Sequence, residues 1–542
     1  MTTNIEILWI FALVSKCKSL TSINTLCFLS LFVLTWLIIK LVFWFHPGGP
    51  AWGKHKWTNT KLSTLTITKQ HKKNTIPGPK GVLIIGSMSL MSGLAHQKVS
   101  AMAETLKAKR LMAISVGETR LIVTCNPDVA KEILNNKSFT NRPVKESAYS
   151  LMFNKAIGFA PYGTYWRTLR KISATHLFCP KQIQASEPQR LDISRQMVVE
   201  LSMQRNKVGG PVRVREILKS ASLYNIMSSV FGKKYKMGDF SSDELRKMVD
   251  EGYDLLGTMN WSDHLPFLGD LDLQRIKFRC FNLVPRVNKF VGEIIAEHRA
   301  QRNENISPQD FVDVMLSLQE TSKLSDCDII AVLWEMIFRG TDTIAVLMEW
   351  ILARLVLHPQ VQKRVHEELD KVVGRTCGVT ESDLTEMVYL TAMIKEVLRL
   401  HPPGPLLSWA RLAVRNTLID GYHVPKGTTA MVNMWGIMRD PQVWVNPLKF
   451  NPDRFLNNGD NIVDISIWGS DSRIAPFGSG RRVCPGKNLA MTTVTFWIAS
   501  MLHEFEFGCW GETGVDLSEK LKLSCEMANP LMVKVCPRKN VL

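Results

Sequence analysis

The sequence predicts a large, mainly α domain with minor β structure, standing behind one N-terminal apolar helix. The chain has 542 residues and 45% hydrophobic content, enough to bury a sizeable core and to set disorder aside. Spacing of apolar residues is mostly helical from about 185 to 400, whereas short strand-like runs gather near 111–125, 411–433 and the C-terminus. Ile23 to Phe45 is 23 residues with a single charge, Lys40. No internal repeat and no convincing linker follows about residue 77, so one large domain is expected where length alone would allow several.

The apolar segment is long enough to cross a hydrocarbon core of ~30 Å at 1.5 Å per residue. Trp36, Trp44 and Phe45 suit a membrane interface, and Lys40 can snorkel to it. Lys54, Lys56, Lys61, Lys69, Lys72, Lys73 and Lys80 follow with no acid between 46 and 80, which puts residues 46 onward in the cytosol. The rival reading is a cleaved signal peptide. It fits less well, because the stretch is long and His46-Pro-Gly-Gly-Pro-Ala is a poor cleavage site. The predicted organisation is a short lumenal segment at 1–22, an anchor at 23–45, a basic tether at 46–76 and the main domain at 77–542, with Ile76-Pro77-Gly78-Pro79 as a stiff hinge. Residues 5–14 are apolar but too few to span.

The net charge of +18 could serve nucleic acid, an anionic membrane or an acidic protein. No nucleic-acid-binding signature accompanies it, and the lysines after the apolar segment point to a membrane. The eleven cysteines are scattered, with no CxxC pair, which fits a reducing cytosolic setting.

Along the main domain, 111–125 reads as strand, turn at Gly117, strand, and Asn126-Pro127 caps a helix running to about Asn136. Ser325 to Leu357 reads as one helix stopped by His358-Pro359. Its acids Asp328, Glu335, Asp342 and Glu349 recur every seven residues and share a stripe, with Arg339 placed to pair with Glu335. Gly340 should weaken this helix, and Thr343 can hydrogen-bond where the ladder opens. Residues 411–433 look like short strands broken by Gly421 and Pro425-Lys426-Gly427, 440–480 lack periodicity, and a helix runs from near Lys487 to Leu502.

The strongest chemical signal is Phe477-Gly478-Ser479-Gly480-Arg481-Arg482-Val483-Cys484-Pro485-Gly486. Gly478, Gly480 and Gly486 let the backbone turn sharply and approach a flat ligand. Cys484 lies just before a helix N-terminus, where backbone N–H groups, the dipole and nearby Arg482 favour thiolate over thiol. Such a cysteine suits nucleophilic catalysis or metal ligation, and composition does not separate the two. Cys179-Pro180 and Cys536-Pro537 share the dipeptide without the glycine loop and read as inert thiols.

The pattern F-x-x-G-x-R-x-C-x-G, filled by Phe477, Gly480, Arg482, Cys484 and Gly486, resembles the haem-binding loop of cytochromes P-450. The resemblance implies that family's fold, an α-rich lobe with a small β-rich lobe. It also implies haem b with Cys484 as axial thiolate, pushing electron density to favour O–O cleavage, and Arg482 on a haem propionate. Phe338-Arg339-Gly340-Thr341-Asp342-Thr343 resembles the family's oxygen-activation segment. Thr343 and Asp342 would then deliver protons, while Arg339 and Ile344 depart from the usual small residue and hydroxyl. Glu396 and Arg399 match its E-x-x-R pair and, with Arg454 in Pro452-Asp453-Arg454-Phe455, would form a buried structural triad behind the haem. By the same resemblance Trp166, Arg170 and Arg411 would contact propionates. The match runs from about 76 to the end and looks like plant microsomal members. The combination of the 338–343 segment, His401 to Arg411 and Ala475 to Ala490 is similar to a plant subfamily linked to organ and seed size, some members of which hydroxylate fatty acids.

The expected function is therefore insertion of one oxygen atom from O2 into a small lipophilic substrate such as a fatty acid, at the cytosolic face of the endoplasmic reticulum. Electrons would come from NADPH through a membrane reductase, whose acidic surface Arg481 and Lys487 could help dock. No nucleic-acid partner is expected. Met152, Phe153, Phe159, Phe338 and Leu406 are the expected substrate-pocket residues. Rival readings are an isomerase or dehydratase on the same fold, a hydroxylase of terpenoid or hormone-like substrates, and a non-enzymatic haem sensor.

Overall fold

The structure is a computed structural model describing residues 22–60, 75–208, 210–237, 242–301, 308–406, 410–456, 465–511 and 514–538. Residues 5–14, nearly all of the expected lumenal segment, residues 61–74 of the expected tether, and Leu407 to Trp409 lie outside them.

The elements that build the site are α1 (Ser22–Trp44), α2 (Pro50–Thr60), α3 (Ala95–Thr105), α4 (Pro127–Asn135), α5 (Thr164–His176), α6 (Val214–Phe231), α7 (Asp243–Gly257), α8 (Ile276–Gln301), α9 (Asp326–Leu357), α10 (Val388–Leu400) and α11 (Lys487–Glu504). β1 (Met112–Val116) and β2 (Thr119–Thr124) form the expected hairpin, and Asn126 caps α4 by accepting from the Asp128 and Val129 amides. In the same four-stranded sheet lie β4 (Arg411–Leu412) and β7 (Thr429–Val432), in the order β1-β2-β7-β4. Between them in sequence, β5 (Thr417–Ile419) and β6 (Tyr422–Val424) pair as a separate hairpin. β3 (Val212–Arg213), β8 (Phe505–Cys509) and β11 (Met532–Pro537) form a three-stranded sheet, and β9 (Glu519–Leu521) pairs with β10 (Cys525–Met527). The result is an α-rich body with small peripheral sheets.

α9 crosses the core. Ser325 and Asp328 close a capping box at its start. The acid stripe pins it to one neighbour after another. Asp328 accepts from the Tyr165 hydroxyl at 3.1 Å, Glu335 from Arg339 Nε at 2.9 Å, and Glu349 from Arg215 Nε at 2.8 Å, while Asp342 lies 3.5 Å from Lys219 Nζ. The helix stays α-helical through Gly340, so the expected opening of the ladder is not found. Gly340 serves packing instead: a Cβ there would overlap the Ile226 side chain of α6.

The segment expected as a free tether is partly folded onto the domain. Ala51 and Trp52 of α2 are buried, and Trp52 Nε1 donates to the Ile114 carbonyl of β1 at 3.0 Å. Trp44 Nε1 at the end of α1 donates to Gly81 O at 2.8 Å, and Lys40 and Lys54 both reach Glu118, at 3.3 and 3.6 Å. Glycine makes this possible, because a Cβ at Gly78 would overlap Ala113 O and one at Gly53 would overlap Phe43 O.

His401, at the end of α10, stacks on Trp350 with 3.9 Å between ring centroids and accepts a hydrogen bond from Arg354 Nε at 2.9 Å. Burial above all, with Arg354 and Arg439 adding repulsion and Glu519 opposing, pulls its pKa down to about 3. Burial likewise pulls His264 and His366 down to about 4. These folded values lie below the ~6.5 of an unfolded histidine. The unfolded chain therefore binds more protons below that point, and stability present above about pH 6.5 drains away as pH falls toward 4. Thermal melts between pH 7 and 4 should show the loss, and His401→Gln should flatten it.

Candidate active site

The loop 477–486 is folded as its glycines suggest. Cys484 N donates to Phe477 O at 2.9 Å and Val483 N to Gly480 O at 3.1 Å. Gly480 has φ +67°, and a Cβ there would overlap Leu134 O of α4. Gly478 has φ +71°, and Gly486 packs against the Phe178 ring. Cys484 therefore stands at the floor of a cavity just before α11, with Phe477, Gly478, Gly486 and Arg482 beside it in the lining.

The thiol differs from expectation in one respect. The Gly486 amide, Arg339, Arg170 and Lys487 do favour the thiolate, but burial outweighs them and raises the pKa above a free thiol's. A buried thiol of this kind makes a poor free nucleophile and a good metal ligand, since a bound cation offsets the burial. Among the described residues lining the cavity there is also no histidine to act as its base.

Arginines ring the cavity. Arg482 donates to the carbonyls of Thr140 (3.1 Å), Ile157 (3.1 Å) and Ala160 (2.6 Å). Arg411 donates to Ser479 O at 3.1 Å, and Arg170 on α5 to Val483 O at 2.9 Å. Trp166, one turn before Arg170, donates its Nε1 to Ile157 O at 2.9 Å. Sequence reasoning missed Arg142, which is half-buried in the cavity lining beside Arg411, Arg482 and Arg339. Its only local signal is an arginine before Pro143, which carries no chemistry by itself. Burial and mutual repulsion pull Arg411 down to about 9 and Arg482 to about 10. Among the described lining residues Glu335 is the sole acid. A set of buried cations with so little compensation fits a bound dianion. A thiol on the floor, glycines that leave room for a flat ring and arginines at the rim together fit a haem with its two carboxylates.

Glu396 and Arg399 lie at 0% exposure behind the loop. Arg399 holds both Glu396 oxygens, at 2.7 and 2.8 Å, and Arg454 Nε reaches Glu396 Oε1 at 3.0 Å. The structure thus brings these three together. Thr343 lines the cavity, its hydroxyl donating to Arg339 O at 3.2 Å. Asp342 turns away from the cavity toward Lys219, which bonds the exposed Asp250 at 3.1 Å, so a charged chain leads outward from it. Burial raises the Asp342 pKa.

The five expected pocket residues do not line this cavity. Phe338 stacks at 4.3 Å on Tyr253, which does line the cavity, and meets Phe153 at 5.3 Å, so it packs behind the lining. Phe159 and Leu406 are buried elsewhere, and Met152 packs against the core with φ +67°. An apolar side chain near the site in sequence need not share its face of the helix. The upper wall comes instead from Ile226 and Val230 of α6, Met336, Ile344 and Leu347 of α9, and Leu523 between β9 and β10.

A second buried grouping, His96, Glu519 and Cys525, has metal-ligating atoms close together. Glu519 accepts from His96 Nε2 and Gln97 Nε2, each at 2.8 Å. Against the burial that would raise it, His401 first, then His96 and the field of Arg439, hold Glu519 well below the usual carboxylate range. The arrangement is a satisfied carboxylate cradle that ties α3 to the β9–β10 hairpin.

Fold and site together define a haem-thiolate monooxygenase. The cytochrome P450 family model matches residues 76–535, and the chain belongs to that family. It is 60% identical over 538 residues to cytochrome P450 78A9 of Arabidopsis thaliana, covering 98% of each chain. It is likewise 60% identical to cytochrome P450 78A3 of Glycine max, covering 99% of this chain and 100% of that one. A flavonoid 3'-monooxygenase of Arabidopsis thaliana is 34% identical, over 87% of this chain and 93% of its own. A zebra fish cytochrome P450 structure with abiraterone superposes with TM-score 0.68 at 25% identity, covering 82% of this chain and 99% of that one.

Proposed function

We propose that this P450 hydroxylates a small lipophilic substrate, with fatty acids the first class to test, at the endoplasmic reticulum membrane with electrons passed from NADPH by a reductase. The observation that carries the substrate class is the mainly apolar part of the lining, Ile226, Val230, Met336, Ile344, Leu347 and Leu523, interrupted by Ser229, Tyr253 and Ser524, which shares the cavity with Thr343. Cys484 would hold the haem iron. Arg142, Arg170, Arg411, Arg482 and Trp166 would hold its carboxylates. Bound there, the haem supplies oxygen activation and insertion.

The chain's own groups manage the proton. The Thr343 hydroxyl stands in the cavity wall. Asp342, kept buried beside Lys219 and linked through it to exposed Asp250, can carry a proton inward from solvent. Thr343→Ala is expected to leave haem content unchanged while product formed per NADPH falls several-fold, read by product and NADPH assays run together. Equal coupling in both proteins would remove Thr343 from the relay.

Membrane attachment is supported by α1, long and apolar enough to cross a bilayer. The segment between α7 and α8 and the first turns of α8 add exposed apolar side chains, Trp261, Phe267, Leu271 and Leu273 in the segment and Phe278 and Phe281 on the helix. That segment is tied to the same β1–β2 turn as the anchor, since Glu118 N donates to His264 O at 2.8 Å. We assign 23–45 to the anchor and the cytosol to the domain beyond it. Arg481 and Lys487, beside the cysteine loop, suit an acidic reductase face.

The deciding experiment is co-expression with a plant reductase, supply of NADPH and a fatty-acid panel of differing length, and location of any new hydroxyl by mass spectrometry. A terminal or near-terminal hydroxyl supports the proposal. No product from haem-loaded, reducible protein overturns the fatty-acid assignment and turns the search to terpenoid or hormone-like substrates.

A further inference from the structure

Ile157 to Ala160 form a buried turn beside the cavity. Its carbonyls are gripped by the groups assigned above to the haem carboxylates. Ile157 O accepts from Trp166 Nε1 at 2.9 Å and Arg482 Nη1 at 3.1 Å. Gly158 O accepts from Arg142 Nε at 3.3 Å, and Ala160 O from Arg482 Nη2 at 2.6 Å. One contact runs the other way: Gly158 N donates to both Glu335 oxygens, at 2.8 and 3.1 Å. Glu335, 2% exposed, is held in turn by Arg339 Nε at 2.9 Å, one helical turn further along α9. The fit leaves no slack, because a Cβ at Gly158 would overlap both Glu335 Oε1 and Arg339 Nη2.

We infer that Glu335, Arg339 and Gly158 form a latch that fixes the 157–160 turn to α9, positioning Arg142, Arg482 and Trp166 and so setting how firmly the haem is retained. The inference rests on the haem reading of the site. Its physics is local. Glu335 is the one acid among the described residues of the arginine-lined cavity, and it terminates the turn's only inward-facing amide in this set of bonds. Without its carboxylate Arg339 loses its ion-pair partner and Gly158 N its charged acceptor, so the turn that Arg142, Arg482 and Trp166 hold is no longer fixed. Arg339 has a further duty: a bulky cation where a small residue would suffice orients the Glu335 carboxylate toward Gly158. Glu335 and Arg339 are positioning residues. Their effect reaches the haem through the turn.

The test uses the full chain, expressed with haem supplementation, and follows the rate of haem transfer to excess apomyoglobin together with the reduced carbon-monoxide spectrum. Glu335→Gln, Arg339→Ala and Gly158→Ala should each release haem faster. The increase expected is about tenfold or more for Glu335→Gln, the size of one lost charge-assisted hydrogen bond. Arg339→Lys should stay near wild type. Because an alanine at 158 displaces the same ion pair, Gly158→Ala combined with Glu335→Gln should release haem no faster than the worse single variant. Wild-type release rates in Glu335→Gln and Arg339→Ala, or rates that multiply in the double variant, would overturn the latch. Should Gly158→Ala fail to fold, the Glu335→Gln, Arg339→Ala and Arg339→Lys series decides alone. A wild-type protein that takes up no haem would overturn the haem reading itself, and the latch with it.

Discussion

Cys484→Ala is expected to fold and to lose NADPH-dependent oxygen insertion down to background, with no thiolate-type band in the reduced carbon-monoxide spectrum. The thiol is half-buried at the cavity floor, and the Cys484 backbone amide is fixed to Phe477 O at 2.9 Å, so the loop does not depend on the side chain for its shape. What the variant removes is the one cysteine among the described residues that line the cavity. Cys484→Ser tests the same point at nearly equal volume: it should retain haem weakly and still lack the thiolate band. Cys179→Ala and Cys536→Ala should be silent in both assays. Cys179 merely precedes the short helix Pro180–Ala185, and Cys536 sits on β11. Activity in Cys484→Ala above background would remove the axial assignment.

Glu396→Ala is expected to abolish recovery of folded protein. Both Glu396 oxygens are engaged by Arg399, and Oε1 also accepts from Arg454 Nε at 3.0 Å and Asn451 N at 2.9 Å. Arg399 Nη1 in turn donates to the Met438 and Pro447 carbonyls, each at 2.7 Å, which holds the irregular 440–450 stretch against α10. Truncating the carboxylate leaves two buried guanidinium groups without their anion, a change that costs about 3–5 kcal/mol. Native domains have only about 5–15 kcal/mol in total. Arg399→Lys should fare little better, because an ammonium cannot serve two carboxylate oxygens and two carbonyls at once. Soluble yield and apparent melting temperature read both outcomes; soluble, haem-loaded Glu396→Ala would show the triad to be dispensable.

Legibility from sequence followed the range of the forces involved. The α4 cap at Asn126, the capping box at Ser325 and the Glu335–Arg339 pair are contacts over three or four residues, and spacing alone predicts them. The cysteine loop was equally plain, since its glycines answer to local backbone needs. Glu396 and Arg454 required the family resemblance, because nothing local brings them together across 58 positions. Which apolar side chains line the cavity is not legible in the sequence. Phe338 and Met336 lie two residues apart on one helix, and only the packing of Tyr253 and Phe153 against the first decides which of them meets the cavity. Arg142 was invisible for the same reason: it matters only through the arginines that the fold gathers around it.

The docking of α2 has a mechanical consequence. α1 ends in bonds to the domain at Trp44 and Lys40, and Trp52 fills a socket on β1, so the anchor acts as a strut. Any mismatch between the length of α1 and the thickness of its bilayer is then passed to the domain as a change of tilt, where a slack linker would absorb it. A soluble version cut at residue 76 would pull Trp52 from that socket, whereas one beginning at Pro47 would keep it filled.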